Sequence, residues 1–153
     1  MFINMDKQNF NRVFLVTQTA QQVFDAITNV PAWWHKEMKG SSKKLNDEFS
    51  VQFADIHYSK HRLTEVVPNK KMVWLTLDSK LTFVEKQSEW TGTTITFEIL
   101  EKGEQTELHF THEGLAPAFQ CFEGCSKGWT CFLEESLLPF IRTGKGQPEP
   151  KEN

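Results

Sequence analysis

The chain has 153 residues with 39% hydrophobic and 24% charged, which fits one soluble globular domain and excludes disorder over most of its length. Three cysteines with no CxxC pair exclude a disulfide scaffold, and no apolar run approaches the ~20 residues of a membrane-spanning helix. The net charge of −3 is interspersed, and the basic stretch Lys36, Lys39, Lys43, Lys44 is answered by Glu37, Asp47 and Glu48, so nothing marks a nucleic-acid partner.

Residues 1–10 are expected to be a flexible N-terminus, 11–143 the folded domain and 144–153 a flexible polar tail. Asn11 to Thr17 reads as the first strand, with Val13, Phe14, Leu15 and Val16 as its apolar centre. Thr19-Ala20-Gln21-Gln22 has the form of a capping box, and the helix behind it carries Val23, Phe24, Ala26 and Ile27 as far as Asn29. Pro31 suits the first turn of a second, short helix, 31–36, which contains Trp33 and Trp34.

From there the period changes to two. Phe49, Val51 and Phe53 alternate, and His57–Val67, Lys71–Leu77, Thr93–Leu100 and Thr106–His112 read as further strands joined by short turns. Residues 78–92 are ambiguous, with Leu81 and Phe83 in either a short strand or a loop over an opening. Ala116-Pro117 opens a last helix to about Ile141. Its apolar stripe is Phe122, Cys125, Trp129, Phe132, Leu133, Ser136, Leu137 and Phe140. At 1.5 Å per residue it spans ~38 Å, enough to cross a curled sheet. Gly124 and Gly128 interrupt it at ~1 kcal/mol each relative to Ala, and Pro139, which crowds the carbonyl of Glu135, predicts a bend. The fold class is therefore α+β: a curved antiparallel sheet with two short helices and a long C-terminal helix across its concave face. Such a grip leaves room for an apolar cavity between helix and sheet.

Several pieces of the chain, in order, resemble a known superfamily. They are Val23-Phe24-Asp25-Ala26-Ile27, Trp33-Trp34, Glu89-Trp90-Thr91-Gly92-Thr93, Thr111-His112-Glu113-Gly114-Leu115, Gly128-Trp129, and Ser136-Leu137 ahead of Thr143-Gly144-Lys145-Gly146. Over roughly 12–146 the sequence is similar to the START-like, Bet v 1-like helix-grip (SRPBCC) superfamily, in the single-domain branch resembling the C-terminal domain of the Hsp90 ATPase activator. The resemblance implies a helix-grip fold with a hydrophobic cavity beneath the last helix. In the superfamily that cavity holds lipids, sterols, polyketides or plant hormones, and a few members are enzymes.

Thirteen Phe and five Trp stand beside one Tyr, Tyr58, so the aromatic surface is almost free of hydroxyls. Trp74, Phe97, Phe110, Trp129 and Phe132 fall on faces between sheet and helix, whereas Trp33, Trp34, Phe83 and Trp90 lie near element ends or loops, where they could rim an entrance. These nine residues and His112 are the candidate ligand-binding set; plain core packing is the competing role, and the favoured one for Phe97 and Phe110. His112 has either a cavity role or a bond to backbone or Glu113. His57 and His61 share a strand face but lie ~13 Å apart along it, so they do not chelate one ion alone. Cys121 and Cys125 share a helix face and Cys131 is turned ~120° away, so no metal site converges. No Gly-rich phosphate loop or nucleophile elbow occurs, and neither a cofactor nor a catalytic residue is assigned.

Three functions remain. The favoured one is a binding module for a small hydrophobic or amphipathic molecule. The second is a protein-interaction or chaperone-linked domain, homodimeric or Hsp90-directed, because strand 71–77 is apolar on both faces. The third is a cyclase- or hydrolase-type enzyme using His112 with Glu65 or Glu113. The N-terminus has no apolar signal segment, so the cytoplasm is the expected location.

Overall fold

In the computed structural model, which describes residues 9–115 and 122–150, seven strands form one antiparallel sheet. They are β1 (Asn9–Val16), β2 (Lys39–Gly40), β3 (Glu48–Phe53), β4 (His57–Val67), β5 (Lys71–Leu81), β6 (Thr94–Lys102) and β7 (Gln105–Glu113). Their spatial order is β1-β7-β6-β5-β4-β3-β2: a meander from β2 to β7, with β1 added beside β7. Register shifts at Lys60/His61 and Leu63/Glu65 put irregularities into β4, and such bulges bend a strand. The sheet curls accordingly around the helices on one face.

Between β1 and β2 lie α1 (Ala20–Thr28) and α2 (Val30–Trp33). The capping box forms as its sequence predicts. Thr19 Oγ1 accepts from the Gln22 N–H at 3.1 Å, and Gln22 Oε1 accepts from the Thr19 N–H at 2.9 Å. α1 buries Val23, Phe24, Ala26 and Ile27. The predicted strand alternation also appears as burial: Phe49 and Val51, Met72 and Trp74, Ile95, Phe97 and Ile99, and Leu108, Phe110 and His112 all point into the core. β5 runs four residues past the expected Leu77, because Ser79 and Leu81 continue the inward face while Asp78 and Lys80 stay outside.

The C-terminal helix comprises α3 (Phe122–Phe132), a wider π-helical turn (Leu133–Leu137) and α4 (Leu138–Thr143). The expected start at Ala116-Pro117, and Cys121, lie outside the described residues. Pro139 is met by a widened turn just before it. Leu138 N–H bonds the Leu133 carbonyl five residues back, and Pro139 then sits in the first turn of α4, where its missing N–H costs little. Leu133, Ser136, Leu137, Leu138 and Ile141 are all buried across this junction.

The chain then turns at Gly144, whose φ of +84° is a left-handed helix cap, and runs back along α2. Ser136 Oγ donates to the Trp33 carbonyl at 2.6 Å and accepts from the Gln147 N–H at 2.7 Å. Glu149 exchanges backbone bonds with Trp34 and Lys36 at 3.0 and 2.8 Å. A Cβ on Gly146 would stand 2.5 Å from the Ala32 carbonyl oxygen, so only glycine permits this close pass.

Candidate functional site

All five tryptophans belong to one cluster. Trp33, Trp34, Trp74, Trp129 and Trp90 are linked through centroid distances of 5.0–6.4 Å, with the linked ring planes within 29° of each other. α2 supplies the first two, β5 the third, α3 the fourth, and the turn-rich segment before β6 the fifth. Phe49 and Phe97 pack edge-on against Trp74 at 4.9 Å, and Phe110 leans on Trp129 at 4.7 Å.

Two polar chains thread this apolar mass. In the first, the Trp129 indole N–H donates to His112 Nδ1 at 3.0 Å. Thr93 Oγ1 gives its proton to the Trp90 carbonyl at 2.6 Å and is therefore the acceptor for His112 Nε2–H at 2.8 Å. Both ring nitrogens are thus committed, and His112 is a neutral Nε2–H tautomer. Complete burial, and then the His57 ring, push its pKa down to about 3.

In the second chain, Ser59 Oγ lies 2.8 Å from His57 Nε2 and 2.8 Å from His61 Nε2, and His61 Nδ1 meets Thr76 Oγ1 at 3.1 Å. Ser59 has one proton to give, so the chain reads in either direction. Thr76 donates to His61, His61 to Ser59 and Ser59 to His57, or every bond reverses. His57 correspondingly presents Nδ1 as a donor or as an acceptor, without any change of charge. Burial is the main cause that lowers the His57 pKa to about 3, and burial also holds His61 well below the usual imidazole range.

Between the tryptophan cluster and α3 opens a cavity of about 370 Å³. Its deep wall is Trp34, Trp90, Trp129, Phe53 and Phe132, with His57 as an imidazole in that wall. The helix side contributes Gly124, Cys125, Gly128, Cys131, Glu135 and Ser136, and Gln147 and Glu149 come from the returning tail. Ile56 and Phe83 also line it, 54% and 49% exposed, which is where two large apolar side chains stand in water at its mouth. A Cβ on Gly128 would meet no atom of the described residues within 4 Å, so it would enter open space. The indole N–H of Trp90 is buried and has no hydrogen-bond partner among the described residues. Among the described residues no group of three His, Cys, Asp or Glu side chains could hold a metal ion, and no helix is long and apolar enough to cross a membrane.

A family model described as "Activator of Hsp90 ATPase homolog 1-like protein" matches residues 17–138. The chain belongs to this family. Members commonly bind hydrophobic ligands or act in chaperone-linked roles. Solved structures repeat the fold. The Aha1 dimer from Colwellia psychrerythraea is 22% identical with a TM-score of 0.73, over 90% of this chain and 98% of that one. Mll3558 from Rhizobium loti is 17% identical with a TM-score of 0.69, over 87% and 95%. SSP2350 from Staphylococcus saprophyticus is 14% identical with a TM-score of 0.66, over 90% and 94%. No match is found among curated proteins.

Within this Hsp90-activator-like fold, Trp34, Phe83, Trp90, Trp129 and Phe132 line the cavity; Trp34 and Trp90, expected from the sequence at an entrance rim, are buried in its deep wall, and Phe83 stands exposed at its mouth. Trp33, Trp74, Phe97, Phe110 and His112 do not reach it. They are essentially inaccessible and pack behind the lining, His112 beneath Trp90 and Trp129. Nor does His112 pair with a carboxylate. Glu65 is exposed on the outer face near Lys71, and Glu113 is exposed and accepts from Thr94. The imidazole of the cavity wall is instead His57. Its approach to His61 through Ser59 is hidden when distance is measured along the strand, whereas side chains two apart on one face lean together. The signal is the triplet His57, Ser59, His61 at period two.

Proposed function

We propose that the protein binds a small apolar molecule in the cavity beneath α3, with His57 as its polar contact. The observation that carries this reading is the empty space beside Gly128, walled by indoles and open at Ile56 and Phe83. Its volume is at the lower end of the ~300–1,000 Å³ typical of ligand pockets, so a short acyl chain or a small ring system suits it better than a large guest. The adjustable donor or acceptor at His57 suits an alcohol, ketone or ether, and the scarcity of other polar atoms in the deep wall leaves most of the affinity to burial.

The test is a titration with decanol and naphthalene, read by tryptophan fluorescence and by thermal unfolding. Every tryptophan lies in the one cluster, so the signal reports on this site. A saturable change and a raised Tm are expected, and both vanish in Gly128→Leu, whose side chain fills the cavity. No saturable change with either compound in the unaltered protein would remove the reading.

A pairing of two copies is the second reading we propose. Val13 and Leu15 on β1 and Leu100 on β6 are exposed on the outer face of the two strands that flank β7, with Leu15 and Leu100 both opposite Glu107 in register. The structurally similar Colwellia protein is an Aha1 dimer. Sedimentation at micromolar concentration decides it, and Leu15→Lys disperses the dimer if this face forms it.

A further inference from the structure

Accepting that the cavity binds an apolar guest, we infer that it selects neutral and cationic molecules and rejects anionic ones, fatty-acid carboxylates among them. No Lys or Arg belongs to the described cavity wall, while two acidic residues, Glu135 and Glu149, do. Glu135 is exposed and Glu149 half-buried; Glu135 lies in the π-helical turn and Glu149 in the returning tail, and both line the cavity along with Ser136 and Gln147. Residues 116–121, which precede α3, are Ala, Pro, Ala, Phe, Gln and Cys and carry no charge. Lys36 touches Glu149 through its backbone N–H, but it does not line the cavity.

The imidazole in the wall does not supply the missing cation. His57 is enclosed by Trp34, Phe53 and Trp90, its Nε2 is committed to Ser59, and the neighbouring His35 and His61 rings add no negative charge to favour its protonation. It stays neutral well below physiological pH. An anionic head at that edge therefore meets two acidic residues and, among the described lining residues, no Lys or Arg to offset them. A cationic head at the same edge keeps its contact with water and gains both carboxylates, while its apolar part occupies the indole-lined depth. The charge pattern thus orients an amphipathic cation, head outward at Glu135 and Glu149, tail toward Trp90 and Trp129.

Decanol, decylammonium and decanoate share one chain and differ in head charge, so titrating the three in low salt isolates the effect. Decylammonium is expected to bind at least as tightly as decanol, and decanoate about tenfold more weakly than either, a gap that narrows as salt is raised. Decanoate binding as tightly as decanol or decylammonium overturns the inference while leaving the binding reading intact. Failure of all three to bind overturns both. In the double variant Glu135→Gln, Glu149→Gln, which preserves side-chain shape, the preference for decylammonium over decanoate shrinks. An undiminished preference there also overturns the inference.

Discussion

Toward β1 and β6, the interior is filled. Phe10, Phe97, Phe110, Trp33 and Trp74 meet largely edge to face, with centroids 4.9–6.4 Å apart, and leave no room for a guest. Toward β3 and the turn before β6, Trp34, Trp90 and Trp129 stack instead, and a cavity of about 370 Å³ stands in front of them. The two regions use the same residue types. The helix opposite the second region carries glycines at 124 and 128, and hydrogen-bonded histidines hold its indoles in place. Aromatic content therefore decides where apolar mass gathers, and missing side chains decide where it stays hollow.

The largest contrast between the regions is in stability. Trp74→Ala or Phe97→Ala, in the filled region, is expected to cost about 3–5 kcal/mol in denaturant unfolding. Phe83→Ala, at the mouth, changes it by less than about 0.5 kcal/mol. Equal losses at the two places would erase the distinction.

Acid is the next lever. The fully buried His61 and His112 have folded pKa values below the unfolded 6.5, so the unfolded state binds their protons first. Their contribution is present above about pH 6.5 and is lost as pH falls; for His112, whose folded pKa is about 3, this amounts to about 1.4 kcal/mol per pH unit, or about 2 kcal/mol by pH 5, and His61 acts in the same direction. His57, half-buried at the cavity wall, adds a smaller share. Asp47, Glu48 and Glu107, whose pKa values are lowered by hydrogen bonds to Ser41, Arg62 and His109 respectively, lose theirs only below the ordinary carboxylate range. A flat stability profile between pH 7 and 5 would contradict the neutral polar chains.

Two smaller effects concern the cavity's edges. Ser136→Ala leaves the Trp33 carbonyl and the Gln147 N–H without their shared partner, and about 1–3 kcal/mol is expected to go with it. Faster amide exchange at Gln147 and Glu149 would accompany that loss. Gly128→Ala raises stability by about 1 kcal/mol through helix propensity, because its new methyl meets open space. If Gly128→Ala destabilises, the space beside it is not empty.

The sheet and the first helix were legible in the sequence because their signals are local: period-two burial from Phe49 to His112, and a capping box within four residues. The cavity was legible only as an expectation of the fold. Whether Trp129 and Phe132 abut the sheet or stand off it depends on volumes summed across four elements. The wide turn that carries Glu135 and Ser136 to the cavity is a response to Pro139, whose presence announces a distortion but not its form. The docking of Gln147 and Glu149 along α2 rests on backbone bonds, which composition does not reveal, although Gly146 marks the close pass.

The Trp34, Trp90 and Trp129 side of the cluster faces a space that takes a guest, and the Trp33 and Trp74 side does not; the rest of the functional reading hangs on this difference. Assigned indole N–H resonances of the five tryptophans, followed during a decanol titration, test it most directly. Saturable shifts are predicted, largest at Trp34, Trp90 and Trp129 and small at Trp33 and Trp74. Five unmoved resonances, or shifts centred on Trp33 and Trp74, would contradict it.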